Sequence, residues 1–143
     1  MRLKCIFTNT ENDAMRNVAL LLLRMLVGGL LLSHGISKLM NFETMSPTFF
    51  DPLGVGSKAS LSLVIFAEVG CSILVITGFF ARLACLPIIF NMGVAAFVFH
   101  DKDPFQVKEL ALLFLGLFIV IFLTGPGKFA LDSLMKDCPW YKE

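Results

Sequence analysis

Four runs of roughly 20 mostly apolar residues dominate the chain, each long enough to cross about 30 Å of hydrocarbon. They extend over Asn17–Met40, Ser57–Phe80, Arg82–His100 and Val107–Thr124. Together they use most of the 143 residues and leave only short tails and connections, so a single membrane domain over residues 1–143 is expected. Apolar and polar residues do not alternate with period two, so the runs read as helices and not as barrel strands. The expected fold is all-α, a bundle of four transmembrane helices in the plasma (inner) membrane. Composition agrees. Hydrophobic residues are 57% and charged residues 16%, against roughly 45–50% and about 25% in soluble domains. That ratio excludes a water-soluble globule and a disordered segment. The net charge of +1 leaves no basic surplus to neutralise phosphates, so the expected partner is the lipid bilayer and not nucleic acid.

The breaks between runs are chemically marked. The first connection, NFETMSPTFFDPLGVG, carries two Pro and two Gly. Gly78-Phe79-Phe80-Ala81-Arg82 predicts a tight turn, Asp101-Lys102-Asp103-Pro104 a second break, and Gly125-Pro126-Gly127 the end of the last span. Lys and Arg placement sets the expected orientation. Arg2, Lys4, Arg16, Arg82, Lys128, Lys136 and Lys142 fall on one side, and Lys38, Lys58, Lys102 and Lys108 on the other. Both termini are therefore expected in the cytoplasm. The first run has a basic flank, but Arg24 interrupts it and no A-x-A site follows, so it reads as a retained helix and not as a cleaved signal.

Ionisable groups inside a bilayer are costly, and each is a functional hypothesis. The first span holds Arg24, His34 and Lys38. At ~100° per residue Arg24 and Lys38 share one stripe, with His34 about 40° beyond. The second span holds Glu68 near its middle, the third Asn91, and the fourth opens with Glu109. A lone buried carboxylate protonates, so Glu68 needs a cation to stay charged. Arg24 is the expected partner: counted from the inner face, it lies ~12 Å deep and Glu68 ~21 Å. Two layers follow, an inner one of Arg24, Glu68 and Asn91 and an outer one of His34, Lys38 and Glu109. His100 is about 180° from Asn91 on helical phase and is expected to face headgroups or water. Each group also has a structural reading. Arg24–Glu68 can simply hold helices together, Lys38 can snorkel, and Glu109 suits a helix N-terminus.

Small residues at Gly29, Ser33 and Ser37 predict a close helix approach, against a neighbouring helix or a second protomer. Phe114, Phe118 and Phe122 read as core or lipid-facing filling. The four cysteines, Cys5, Cys71, Cys85 and Cys138, form no metal-ligand spacing, and no metal is expected. Cys71 and Cys85 read as apolar fillers, with thiol chemistry as the alternative.

The order of motifs resembles the DoxX family of small four-helix membrane proteins. Arg24 is followed by Gly28 and by HGISKL at His34–Leu39; Glu68 is followed by Gly70; then come TGFFARLA at Thr77–Ala84, KELALL at Lys108–Leu113 and GPGKFALD at Gly125–Asp132. One departure is Ala130, where the family usually has Ser before Leu-Asp. The resemblance implies similarity to a subunit of a thiosulfate:quinone oxidoreductase, and association with thiol-handling or oxidative-stress complexes. The leading functional expectation is a redox-associated membrane protein whose polar pocket binds a quinone or a small anionic or sulfur substrate. No cofactor motif is evident, and quinone is the one candidate. Glu68 and His34 are the catalytic candidates, and Arg24, Lys38, Asn91 and Glu109 the ligand-binding ones. The alternatives are a scaffold or accessory subunit of an oxidoreductase complex and a small proton-coupled transporter. A homodimer or larger membrane complex is the assembly to test.

Overall fold

The computed structural model describes residues 13–136. Expectations on Arg2, Lys4, Cys5, Cys138 and Lys142, and on the Lys136 side chain, fall outside the described residues. Among the described residues the helices are, in order, α1 (Asp13–Met40), α2 (Phe42–Met45), α3 (Ser57–Thr77), α4 (Ala81–Phe99), α5 (Phe105–Thr124) and α6 (Leu131–Lys136). No strand occurs among the described residues. Helices α1, α3, α4 and α5 are long and apolar enough to cross a membrane. They pack as a ring in chain order, α1 on α3, α3 on α4, α4 on α5 and α5 back on α1. The short links at 78–80 and 100–104 leave only antiparallel neighbours within reach of each other.

The apolar residues divide between a packed interior and a lipid-facing exterior. Val27, Leu31, Val75, Ile88, Phe118 and Ile121 fill the interior, together with Cys71 and Cys85. Phe114 belongs to the same core and Phe122 packs against it, so the phenylalanine stripe of α5 is core filling. Leu22, Leu26, Leu83, Leu86 and Leu123 remain exposed on the outside, where acyl chains solvate them.

Two glycines of α1 set its register against α3. A methyl on Gly28 would meet Ile76 Cγ1 at 2.6 Å, and one on Gly35 would meet Glu68 Cβ at 2.8 Å and the Glu68 carbonyl carbon at 2.9 Å. Only hydrogen fits at those contacts, so the backbones approach closely there. The expected small stripe plays no such part within the chain. Gly29 has nothing within 4 Å of its missing methyl, and Ser33 and Ser37 are exposed.

Both middle helices change pitch. Phe66–Cys71 of α3 and Ala95–Phe99 of α4 are π-helical turns. A turn closed over one extra residue sets everything after it back by about 100°. Proline interrupts α4 as well, at Pro87, where the missing N–H leaves a carbonyl of the preceding turn unbonded.

At the end of the bundle where α1 begins and α5 ends, the GPGKFALD segment folds over the helix ends. Asn17 Oδ1 accepts from Lys128 N at 2.8 Å, Arg24 Nη2 donates to the Phe129 carbonyl at 2.6 Å, and Asp132 Oδ1 accepts from Phe80 N at 2.9 Å. Gly78 ends α3 at φ 74°, and Phe80 follows at φ 47°. A left-handed Phe is uncommon, and the Asp132 carboxylate holds it in place. Ala130 packs beneath Gly78, where a methyl would lie 2.5 Å from Ala130 Cβ. Ser133 does the local capping, its hydroxyl donating to the Ala130 carbonyl at 2.7 Å.

Gly35→Ala should destabilise the bundle by about 1–3 kcal/mol, because the added methyl meets backbone and not a flexible tip. Gly29→Ala, in open space, should leave stability unchanged. Thermal unfolding of both variants in one detergent checks this pair, and equal melting temperatures would refute the assigned register.

Candidate functional site

A cavity of about 910 Å³ lies in the half of the bundle opposite the start of α1, between α3, α4 and the 41–56 connection. Its walls are mostly apolar, supplied by Leu63, Phe66 and Ala67 of α3 and by Pro87, Phe90 and Val94 of α4. Phe49, Phe50, Pro52 and Leu53 of the connection complete it. The polar side chains in the lining are Lys38, Glu68 and Asn91, with Thr48, Ser60 and His100. This combination of large apolar walls with a few convergent polar groups is typical of small-molecule sites.

Lys38, Glu68 and Asn91 form one hydrogen-bonded unit. Lys38 Nζ donates to both Glu68 oxygens, at 2.5 Å to Oε1 and 2.6 Å to Oε2, and Asn91 Nδ2 donates to Glu68 Oε1 at 3.1 Å. Glu68 is only 2% exposed, whereas the Lys38 side chain retains 28%. A carboxylate accepts but does not donate, so the Asn91 amide must turn its NH₂ to Glu68 and leave Oδ1 for another donor. Lys38 likewise has three N–H bonds and spends two on Glu68. The unit carries no net charge, yet keeps one donor and one acceptor for a third party.

Local structure explains this convergence. Gly35 places α1 directly against Glu68, and Lys38, one turn later, reaches back along α1 toward it. The π-helical turn that contains Phe66, Ala67 and Glu68 brings cavity wall and carboxylate onto one side of α3. Such turns are frequent at functional sites.

The expected partnership of Arg24 with Glu68 does not form. Arg24 is fully buried at 0% exposure, but its hydrogen bond goes to the Phe129 carbonyl, and the carboxylate acting on it is Asp132. Register is the reason. Glu68 lies level with Gly35, and Arg24 precedes Gly35 by eleven residues, or ~16 Å along a helix. Arg24 therefore clamps the terminal loop and does not line the cavity.

The two expected layers regroup accordingly. Glu68 and Asn91 join Lys38 from the other layer. His34 is exposed, and its ring stands edge-on to Phe114 at 6.0 Å, on the α1–α5 side. Glu109 is exposed in the first turns of α5, and neither residue lines the cavity. His100, expected to face away, does line it. The π-helical turn just before His100 shifts it by about 100° from the α-helical phase, which brings it round to the Asn91 side. Its Nδ1 meets Asp103 Oδ2 at 2.6 Å. Sequence reasoning missed the connection altogether as a wall, although the aromatic pair Phe49-Phe50 and Pro52 were visible there.

Asp51 holds that wall in shape. Its carboxylate accepts from Val55 N at 3.2 Å, from Gly56 N at 2.6 Å and from the Ser60 hydroxyl at 2.7 Å, which ties the loop to the start of α3. Chiefly the Ser60 hydroxyl, and then the Gly56 amide, hold the carboxyl below its ordinary pKa. A depressed pKa contributes stability above the ordinary value, and that contribution is lost as pH falls through the lowered one.

Two predictions follow from this geometry. Lys38→Met and Glu68→Gln should each destabilise the bundle, by less than the roughly 3–5 kcal/mol of a fully buried pair because Lys38 is partly exposed. The double variant should recover most of the loss, as a double-mutant cycle in denaturant will measure; additive losses would count against the pair. For Asp51, the protection of the Val55 and Gly56 amides from hydrogen exchange, relative to the intrinsic rate at each pH, should fall as pH drops from about 4 downward, and Asp51→Asn should remove that dependence.

Comparison with known proteins agrees with this architecture. Residues 19–101 match the DoxX family model. The uncharacterized membrane protein Rv3486 of Mycobacterium tuberculosis is 30% identical over 130 residues, covering 77% of this chain and 77% of that protein. The inner membrane protein YphA of Escherichia coli is 30% identical over 131 residues, covering 83% of this chain and 91% of its own. The inner membrane protein YqjF of the same organism is 28% identical over 128 residues, covering 85% and 95%. No solved structure matches the chain. Four membrane-spanning helices, relatives of the inner membrane and a family match over more than half its length make this a multi-pass plasma-membrane protein, and the chain belongs to the DoxX family.

Proposed function

We propose that the Lys38–Glu68–Asn91 unit binds the polar head of a quinone-like molecule and exchanges protons with it, so that the protein serves membrane redox chemistry together with an external electron partner. The observation that carries this reading is a 2%-exposed carboxylate, paired and hydrogen-bonded, at the polar end of an apolar cavity of about 910 Å³. An uncharged head suits it better than an anion, because Glu68 already neutralises Lys38. A quinone carbonyl can accept the remaining Lys38 N–H, and a quinol hydroxyl can donate to Asn91 Oδ1. Glu68 is the proton acceptor: when a quinol releases a proton to it, Lys38 loses its counter-charge and is poised to pass a proton on. His100 at the cavity wall, and not His34, is the nearer imidazole for relay to water. With both termini in the cytoplasm, the cavity belongs to the outer half of the membrane.

A quinone with a single isoprene unit should bind the purified protein in nanodiscs, measured by calorimetry. Glu68→Gln should weaken it at least tenfold, about 1.4 kcal/mol, while Glu109→Gln leaves it unchanged. Absence of binding by the unaltered protein would sink the reading.

A further inference from the structure

The cavity is bordered by phenylalanines at hydrocarbon depth and is crossed by an apolar connection at its water end. Phe66 of α3 and Phe90 of α4 both line it, and each is 58% exposed. Phe66 is nine residues from the start of α3, and Phe90 nine residues from the end of α4. At 1.5 Å per residue both lie ~14 Å from the helix ends, deep in the hydrocarbon. Exposure at that depth is exposure to acyl chains, so the gap between the two phenylalanines faces the bilayer. Toward the water the lining is an apolar roof. The connection crosses that end with Phe49, Phe50, Pro52 and Leu53, and Phe50 packs on Phe99 of α4 at 5.2 Å between ring centroids. Desolvating an anion across such a roof is costly, and no unneutralised cation in the cavity floor compensates.

We infer that the ligand is carried in the bilayer by a long apolar tail and enters sideways, between Phe66 and Phe90. This rests on the reading of the Lys38–Glu68–Asn91 unit as a head-binding site. The head passes the phenylalanine gap and reaches Glu68 and Asn91, and the tail stays in the gap and trails into the leaflet. A preformed apolar cleft open to lipid adds tail contacts to the head's few hydrogen bonds. Affinity should therefore grow with tail length beyond what partitioning into the membrane accounts for, and water-soluble anions are excluded as competitors.

The test uses the full chain in nanodiscs and three quinones with one head and tails of zero, two and eight isoprene units. Their concentrations are expressed per lipid, which removes the partitioning effect. Binding should strengthen at least tenfold from the tailless to the eight-unit probe. Leu63→Trp, at the exposed edge of the gap, should weaken the eight-unit probe at least tenfold and leave the tailless one unchanged; Val94→Phe, from the opposite wall, is the second variant should the first not fold. Leu123→Trp, on the lipid-facing side of α5 and away from the cavity, should affect neither. Sulfate at millimolar concentration should displace nothing. Equal affinities for the three probes per lipid, insensitivity to both gap variants, or displacement by sulfate would overturn lateral access. A tailless probe that binds in a Glu68-dependent way while showing none of the tail effects leaves the head-binding site standing and refutes this inference alone. Failure of all three probes refutes the head-binding site itself.

Discussion

A carboxylate in the middle of a membrane helix stays charged only if a cation is brought to it, and in this chain that cation is Lys38. The Lys38–Glu68 contact is the interaction around which the upper half of the bundle is arranged. It requires α1 to lie almost against the backbone of α3, which Gly35 allows. It draws Asn91 inward from α4. The space left between α3 and α4 on the far side of this contact is the cavity. Without the pair the Glu68 carboxylate would be buried with no counter-charge, and the polar end of the cavity would lose both its charge balance and its geometry.

The other half of the molecule solves a different problem. Arg24, Asn17 and Asp132 join the helix ends to the terminal segment through hydrogen bonds over more than 50 residues of sequence. The chain thus separates its intramembrane charges by purpose. Arg24 is a structural clamp at one end, and Lys38 lines the cavity at the other. Both are cations of the same helix, and the difference between them lies wholly in what faces them.

Much of this was legible beforehand. Four long apolar runs can only be spans, since nothing else satisfies so many backbone groups in lipid. Glu68, Lys38 and Asn91 stood out because bilayer cost makes any polar group conspicuous. The pairing was not legible. Depth estimated from span ends places Arg24 ~9 Å from Glu68 along the helix axis. The actual register, locked by Gly28 and Gly35, puts a different cation there. His100 was misplaced for a second reason: one π-helical turn shifts the phase by about 100°, and periodicity counting assumes 3.6 residues per turn throughout.

The amino-acid sequence alone determined that this is a helical membrane protein, where its spans lie, and which few residues are out of place in lipid. These are properties of composition and local periodicity, read within single segments of about 20 residues. The tertiary structure alone decided which polar groups meet, that a cavity lies between α3 and α4 and that the first connection lines it. Those depend on contacts of a few ångströms between distant segments, set by a missing methyl at Gly35 and an extra residue in a helical turn, and no count along one segment contains them.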